Sequence, residues 1–158
     1  MKLPILVISA IAGLFLSPST ETKRKALSQP TPAPVNIVGT WQLVSGLTIS
    51  GKDSTLTDYT KDQQMIKIIN NTHFAFLKHA LNVPKDSANQ FDAGGGRYTL
   101  TGNRYTEHLD YYNDRHWEGK TFDFTVQLKK DTLIQSGLEK VEGTGIDRTI
   151  IEKYVRAH

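Results

Sequence analysis

The chain has 158 residues, of which 38% are hydrophobic and 22% charged, and it carries a formal charge of +3. That is the length and composition of one ordinary globular domain, and the charge is too small to point to a nucleic-acid partner. With no cysteine present, a disulfide framework, a thiol nucleophile and a cysteine-borne lipid anchor are excluded.

Residues 1–19 have the three parts of a secretory signal peptide: Lys2 as a positive n-region, an apolar run from Leu3 to Leu16, and small residues around Ser17-Pro18-Ser19. The apolar run, about 14 residues, is shorter than the roughly 18–20 that span a bilayer as a helix. The pattern therefore predicts cleavage after Ser19, a periplasmic or secreted mature protein, and no stable membrane span. An uncleaved N-terminal anchor is the rival reading. Residues 20–36 form a polar, proline-containing linker, with Pro30, Pro32 and Pro34 keeping it extended. Its cluster Lys23, Arg24, Lys25 reads as solvated rather than lipid-bound.

From Ile37 onward the hydrophobic period is two. The pattern predicts eight strands, at 37–45, 63–69, 72–78, 97–101, 104–112, 122–128, 132–138 and 146–156, in a single domain over 37–156. Asn70-Asn71 and Gly102-Asn103 mark hairpins, the first pair by tolerating positive φ. Residues 80–90 form a polar loop with room for a short helical turn. Gly94-Gly95-Gly96 suits a corner or bulge. No long helix is available to cover a sheet face, so an eight-stranded antiparallel up-and-down β-barrel follows: closure removes both edges and buries one face.

The opening Ile37-Val38-Gly39-Thr40-Trp41 resembles the Gly-x-Trp first strand of lipocalins and other calycins. Ile66-Lys67-Ile68-Ile69, Thr72-His73-Phe74-Ala75-Phe76, Gly94 to Leu100, Tyr105-Thr106-Glu107-His108, Asp131 to Gly137 and Glu152 to Arg156 extend the likeness. Together they resemble the lipocalin-like domains of secreted Bacteroidetes proteins, including a family of unknown function. The resemblance implies a barrel with an internal cavity and export from such a bacterium. It also implies that Trp41 packs at the closed end beneath a cationic side chain of the last strand, for which Arg156 is the match. It supplies no ligand, and without cysteines or a long C-terminal helix the specificities of secreted animal lipocalins do not carry over.

Alternation places Tyr105, Glu107, Leu109 and Tyr111 on one strand face, Leu133 and Gln135 on another, and Arg148, Ile150, Glu152, Tyr154 and Arg156 on a third. If Tyr105 and Tyr154 point inward, so do Glu107, Glu152 and Arg148, and an ionised group inside a barrel must be paired or wet. One reading is an internal network filling the barrel. The other is a ligand pocket in which Arg148 holds an anionic group, Glu107 and Gln135 hydrogen-bond it, and Tyr105, Tyr111 and Tyr154 form walls, with Glu152 a further ligand-binding candidate on the same face as Arg148. Trp117, in the polar loop 113–119, is either a plug for one barrel end or part of a portal.

No catalytic constellation stands out: there is no Gly-x-Ser-x-Gly elbow, and a Glu107/Glu152 carboxylate pair rests on a separation that sequence does not give. His73, His79, His108 and His116 lack metal-ligand spacing, so no metal or other cofactor is expected. The Asn70-Asn71-Thr72 sequon is accidental in a bacterial context. The reading favours an exported binding protein for a small amphipathic or polar-headed molecule. Its alternatives are a structural or interaction module with a filled barrel and a protein or envelope partner, and an enzyme using the same interior. No motif encodes ligand identity or oligomeric state.

Overall fold

The computed structural model describes residues 35–84 and 91–158. The predicted signal peptide at 1–19, all but the last two residues of the predicted linker at 20–36, and residues 85–90 of the predicted loop lie outside them. Nine antiparallel strands follow one another: β1 (Gly39–Ser50), β2 (Asp53–Asp58), β3 (Gln63–Ile69), β4 (His73–Ala80), β5 (Phe91–Thr101), β6 (Arg104–Tyr112), β7 (Thr121–Lys129), β8 (Thr132–Val141) and β9 (Ile146–Arg156). Strands β3 to β9 pair consecutively, and β1 closes the sheet by pairing with both β3 and β9. The result is an eight-stranded up-and-down barrel, with β2 as an additional short strand. Among the described residues, no helix is long and apolar enough to cross a membrane.

β1 explains the ninth strand. Its first residues, Gly39 to Gln42, pair with β3, and its last, Ser45 to Ser50, pair with β2. β2 thus continues the wall where β3 has diverged from β1. Its sequence, Asp-Ser-Thr-Leu-Thr-Asp, is polar on both faces and lies almost wholly exposed, so it shows no alternation to read. The predicted strand at 97–101 likewise begins earlier, at Phe91. Three consecutive glycines have low strand propensity, yet Gly94 and Gly95 pair on both sides.

The hairpin at Asn70-Asn71 turns without the predicted positive φ. Instead Asn70 Oδ1 accepts hydrogen bonds from the backbone N–H groups of Thr72, at 2.8 Å, and His73, at 2.7 Å. A side chain thereby does the capping that an unusual backbone would otherwise supply.

One bulge sets the direction of the site. Gly95 pairs with Tyr111 and Arg97 with His108, so β6 spends three residues where β5 spends two. The extra residue reverses the alternation of β6 beyond Leu109. Tyr111 therefore points outward, 70% exposed, and Tyr112 packs against the core in its place. This corrects the sequence expectation that Tyr111 lines the interior. Gly96 accommodates the bulge, because a Cβ there would run into the His108 carbonyl oxygen.

At the end where β1 begins, the N-terminal segment folds across the barrel and buries Ile37. The Trp41 indole N–H donates to the Ile37 carbonyl at 2.8 Å, and the Arg156 guanidinium lies over the indole, 4.2 Å from its centroid. Glycine suits position 39, since its φ of +146° is one that L side chains rarely adopt, and a Cβ would also push against that guanidinium. Leu43, Ile69, Phe74, Tyr105, Phe124, Val126, Leu133 and Tyr154 build the core above this floor.

Candidate functional site

Above the core the barrel is hollow. A cavity of about 160 Å³ occupies its other half, lined by 18 residues: 16 from every barrel strand except β1, and Tyr59 and Trp117 from the loops at that end. Register explains which polar side chains reach it, because residues directly opposite each other in an antiparallel pair share a face. Lys67 lies between Trp41 and Phe76, Gln135 opposite Glu152, and Glu139 opposite Arg148.

Lys67 is the anchor. Its ammonium is buried and donates to Glu107 Oε1 at 2.6 Å and to Gln135 Oε1 at 3.0 Å. The rings of Phe74, Tyr105 and Tyr154 surround it at 5.5, 5.8 and 5.5 Å. A cation withdrawn from water needs such compensation: a carboxylate, a second acceptor and the negative faces of rings together replace its hydration. Two further pairs lie nearer the open end, Arg148–Glu139 at 2.7 Å and Lys78–Asp92 at 3.3 Å. The Arg148 guanidinium also sits 5.7 Å from the centroid of Trp117, which packs on Tyr112 and Phe122.

Glu152 differs from its neighbours. Among the described residues it forms no ion pair, and it accepts one hydrogen bond, from the Tyr154 hydroxyl at 2.6 Å. Burial raises its pKa above the usual carboxylate range; Lys67 and the Tyr154 hydrogen bond oppose the shift, while Glu139 and Glu107 add to it. The Tyr154 phenol is pushed far above its ordinary range by burial and then by Glu152. Tyr105 is raised in the same way, by burial and by Glu107. Its hydroxyl is fully buried and, among the described residues, has no hydrogen-bond partner in good geometry, Glu107 being the nearest polar influence on it.

Of the seven side chains proposed from sequence, Glu107, Gln135, Arg148, Glu152 and Tyr154 line the cavity. Tyr105 does not. It packs in the core below the cavity against Tyr98 and Phe74, at 5.2 and 6.5 Å between ring centroids, because the strand carries it one step closer to the closed end than Glu107. Tyr111 is outside, reversed by the β6 bulge. Arg148, expected to hold an anion, is already engaged by Glu139.

Sequence reading missed Lys67, Lys78, Asp92 and Glu139. In β3 the apolar residues fall on both faces, Met65 and Ile69 inward, Ile66 and Ile68 outward, so hydrophobicity alone does not orient Lys67. The hairpin at Asn70-Asn71 carries the missing signal, since once Phe74 and Phe76 face inward, their partners Ile69 and Lys67 must too. Glu139 and Asp92 were missed because their strands extend beyond the predicted ends.

No protein-family model matches the chain, and no curated protein matches it. A crystal structure of a mutant of the fluorescent protein UnaG superposes with a TM-score of 0.36 and 12% sequence identity, over 77% of this chain and 96% of that one. Among the described residues, no group of three or more His, Asp or Glu side chains is placed to hold a metal. His73 and His79 are exposed at opposite ends of β4, and His116 is exposed in the loop before β7.

Proposed function

We propose that this chain is an exported lipocalin-like binding protein, of the kind found in secreted Bacteroidetes proteins, that holds a small polar-headed molecule inside its barrel. The observation that carries the reading is the cavity: it lies in one half of the barrel, opposite a closed end, and combines aromatic walls with ionisable groups whose burial is costly. A barrel filled for stability alone is better served by apolar side chains, which avoid that cost. Export rests on the predicted signal peptide, and the kinship on the ordered sequence resemblance over 37–156.

At about 160 Å³ the space is below the roughly 300 Å³ of a drug-sized pocket and close to the ~150 Å³ of an engineered cavity that accepts benzene. The ligand, or the part of it that enters, is correspondingly small. Native mass spectrometry of protein purified from its own organism tests the proposal: a retained non-covalent mass is expected from the wild type and not from Leu109→Trp, which fills the cavity. A wild type that always runs at its bare mass, and takes up nothing from cell extract, sinks it.

A further inference from the structure

Resting on that reading of the cavity, we infer that its ligand carries a cationic, amine-type head group, with Glu152 as counter-ion and the aromatic wall around it. The basis is a charge count. Three cationic side chains line the cavity, Lys67, Lys78 and Arg148, against four carboxylates, Asp92, Glu107, Glu139 and Glu152. Each cation is committed to a carboxylate of its own, at 2.6, 3.3 and 2.7 Å respectively. Glu152 is left over.

An anionic ligand would have to compete for a cation already paired and would be repelled by the surplus carboxylate. A cationic one meets an acceptor with no ion-pair partner. The walls favour the same sign, since seven of the lining side chains are aromatic, and ring faces attract cations. The protein uses this attraction twice itself, placing Lys67 among three rings and Arg148 over Trp117.

Binding should then depend on pH. Glu152 is influenced by Lys67 on β3, Tyr59 before β3, Glu107 and Tyr105 on β6, Gln135 and Glu139 on β8, and Arg148 and Tyr154 on β9; its partner on β1, Gly46, has no side chain. Because burial outweighs the help from Lys67 and Tyr154, the carboxylate takes up a proton more readily than an exposed glutamate. Affinity for a cation is therefore full above that raised pKa and falls as pH drops through it.

The probes are three molecules of one size, benzylamine, benzyl alcohol and benzoate, titrated calorimetrically into the full chain. Benzylamine is expected to bind at least about tenfold more tightly than benzyl alcohol, with benzoate weakest. Glu152→Gln should bring benzylamine down to the alcohol's level, leave the alcohol unchanged and abolish the pH dependence. Tyr154→Phe, which removes the donor to Glu152, should move the acid loss of benzylamine binding to higher pH, and it carries the test if Glu152→Gln fails to fold. Equal or stronger binding of benzyl alcohol or benzoate, or a Glu152→Gln variant that keeps the preference, overturns the cation assignment and leaves the cavity as a binding site. Binding of none of the three overturns both.

Discussion

Lys67 shows how much a single side chain can commit a fold to a polar interior. It is 2% exposed, yet it is charged chemistry in the middle of a barrel, held by Glu107 and Gln135. Removing one partner of a buried pair costs more than removing both, because the survivor is left as an uncompensated charge. Lys67→Met should therefore destabilise the protein by about 3–5 kcal/mol in urea unfolding, while Lys67→Met combined with Glu107→Leu should recover most of that loss. A double variant no more stable than Lys67→Met would mean that the pair is not the unit of interaction. The sequence did not single Lys67 out because each face of β3 carries apolar residues. Tyr105, Glu107, Gln135 and Tyr154 were legible as inward-facing because their strands alternate cleanly over these residues, with Phe122, Phe124 and Val126 of β7 giving the core a fixed face.

Strands report their faces only while the period of two is unbroken. The β6 bulge breaks it, and no feature of the string Leu109-Asp110-Tyr111-Tyr112 shows where the count restarts. The cause lies on the neighbouring strand: Gly96 lets the His108 carbonyl approach, and Asp110 turns outward to accept from the Arg97 backbone and guanidinium. Arg97 holds the Asp110 carboxyl down to a pKa of about 2, so this outer clamp persists until strongly acid pH. Gly96→Ala should cost about 2–3 kcal/mol in chemical denaturation, since its methyl group must displace backbone rather than a flexible side chain. Thr99→Ala, exposed on the same strand, should change stability by less than about 0.5 kcal/mol. Comparable losses at both sites would show that the strand, and not the bulge, is sensitive. The eight barrel strands were visible in the pattern because each buries one face. β2 was not, for it buries neither.

Barrel closure divides the molecule into two ends with separate work. Trp41, Arg156 and Ile37 seal one by stacking and by hydrogen bonds to the N-terminal segment, while Arg148, Trp117 and Tyr59 border the hollow half. Two arginines on one strand, eight residues apart and on the same face, thus have opposite assignments. Arg156→Ala should lower stability by about 1 kcal/mol through loss of the cation–π contact and of packing on the indole, with benzylamine affinity unchanged. Arg148→Ala removes the partner of Glu139, whose carboxylate faces the cavity at 14% side-chain exposure. The space then holds two carboxylates without cations in place of one, so benzylamine should bind severalfold more tightly and benzoate more weakly, while stability falls by about 1–2 kcal/mol because the pair is only partly shielded. If Arg148 instead served as an anion anchor, the same variant would lose benzoate and leave benzylamine unaffected. Calorimetric titration of both probes into both variants separates the assignments, because only a lumen whose cations are spent on its own carboxylates gains affinity for an amine when an arginine is taken away.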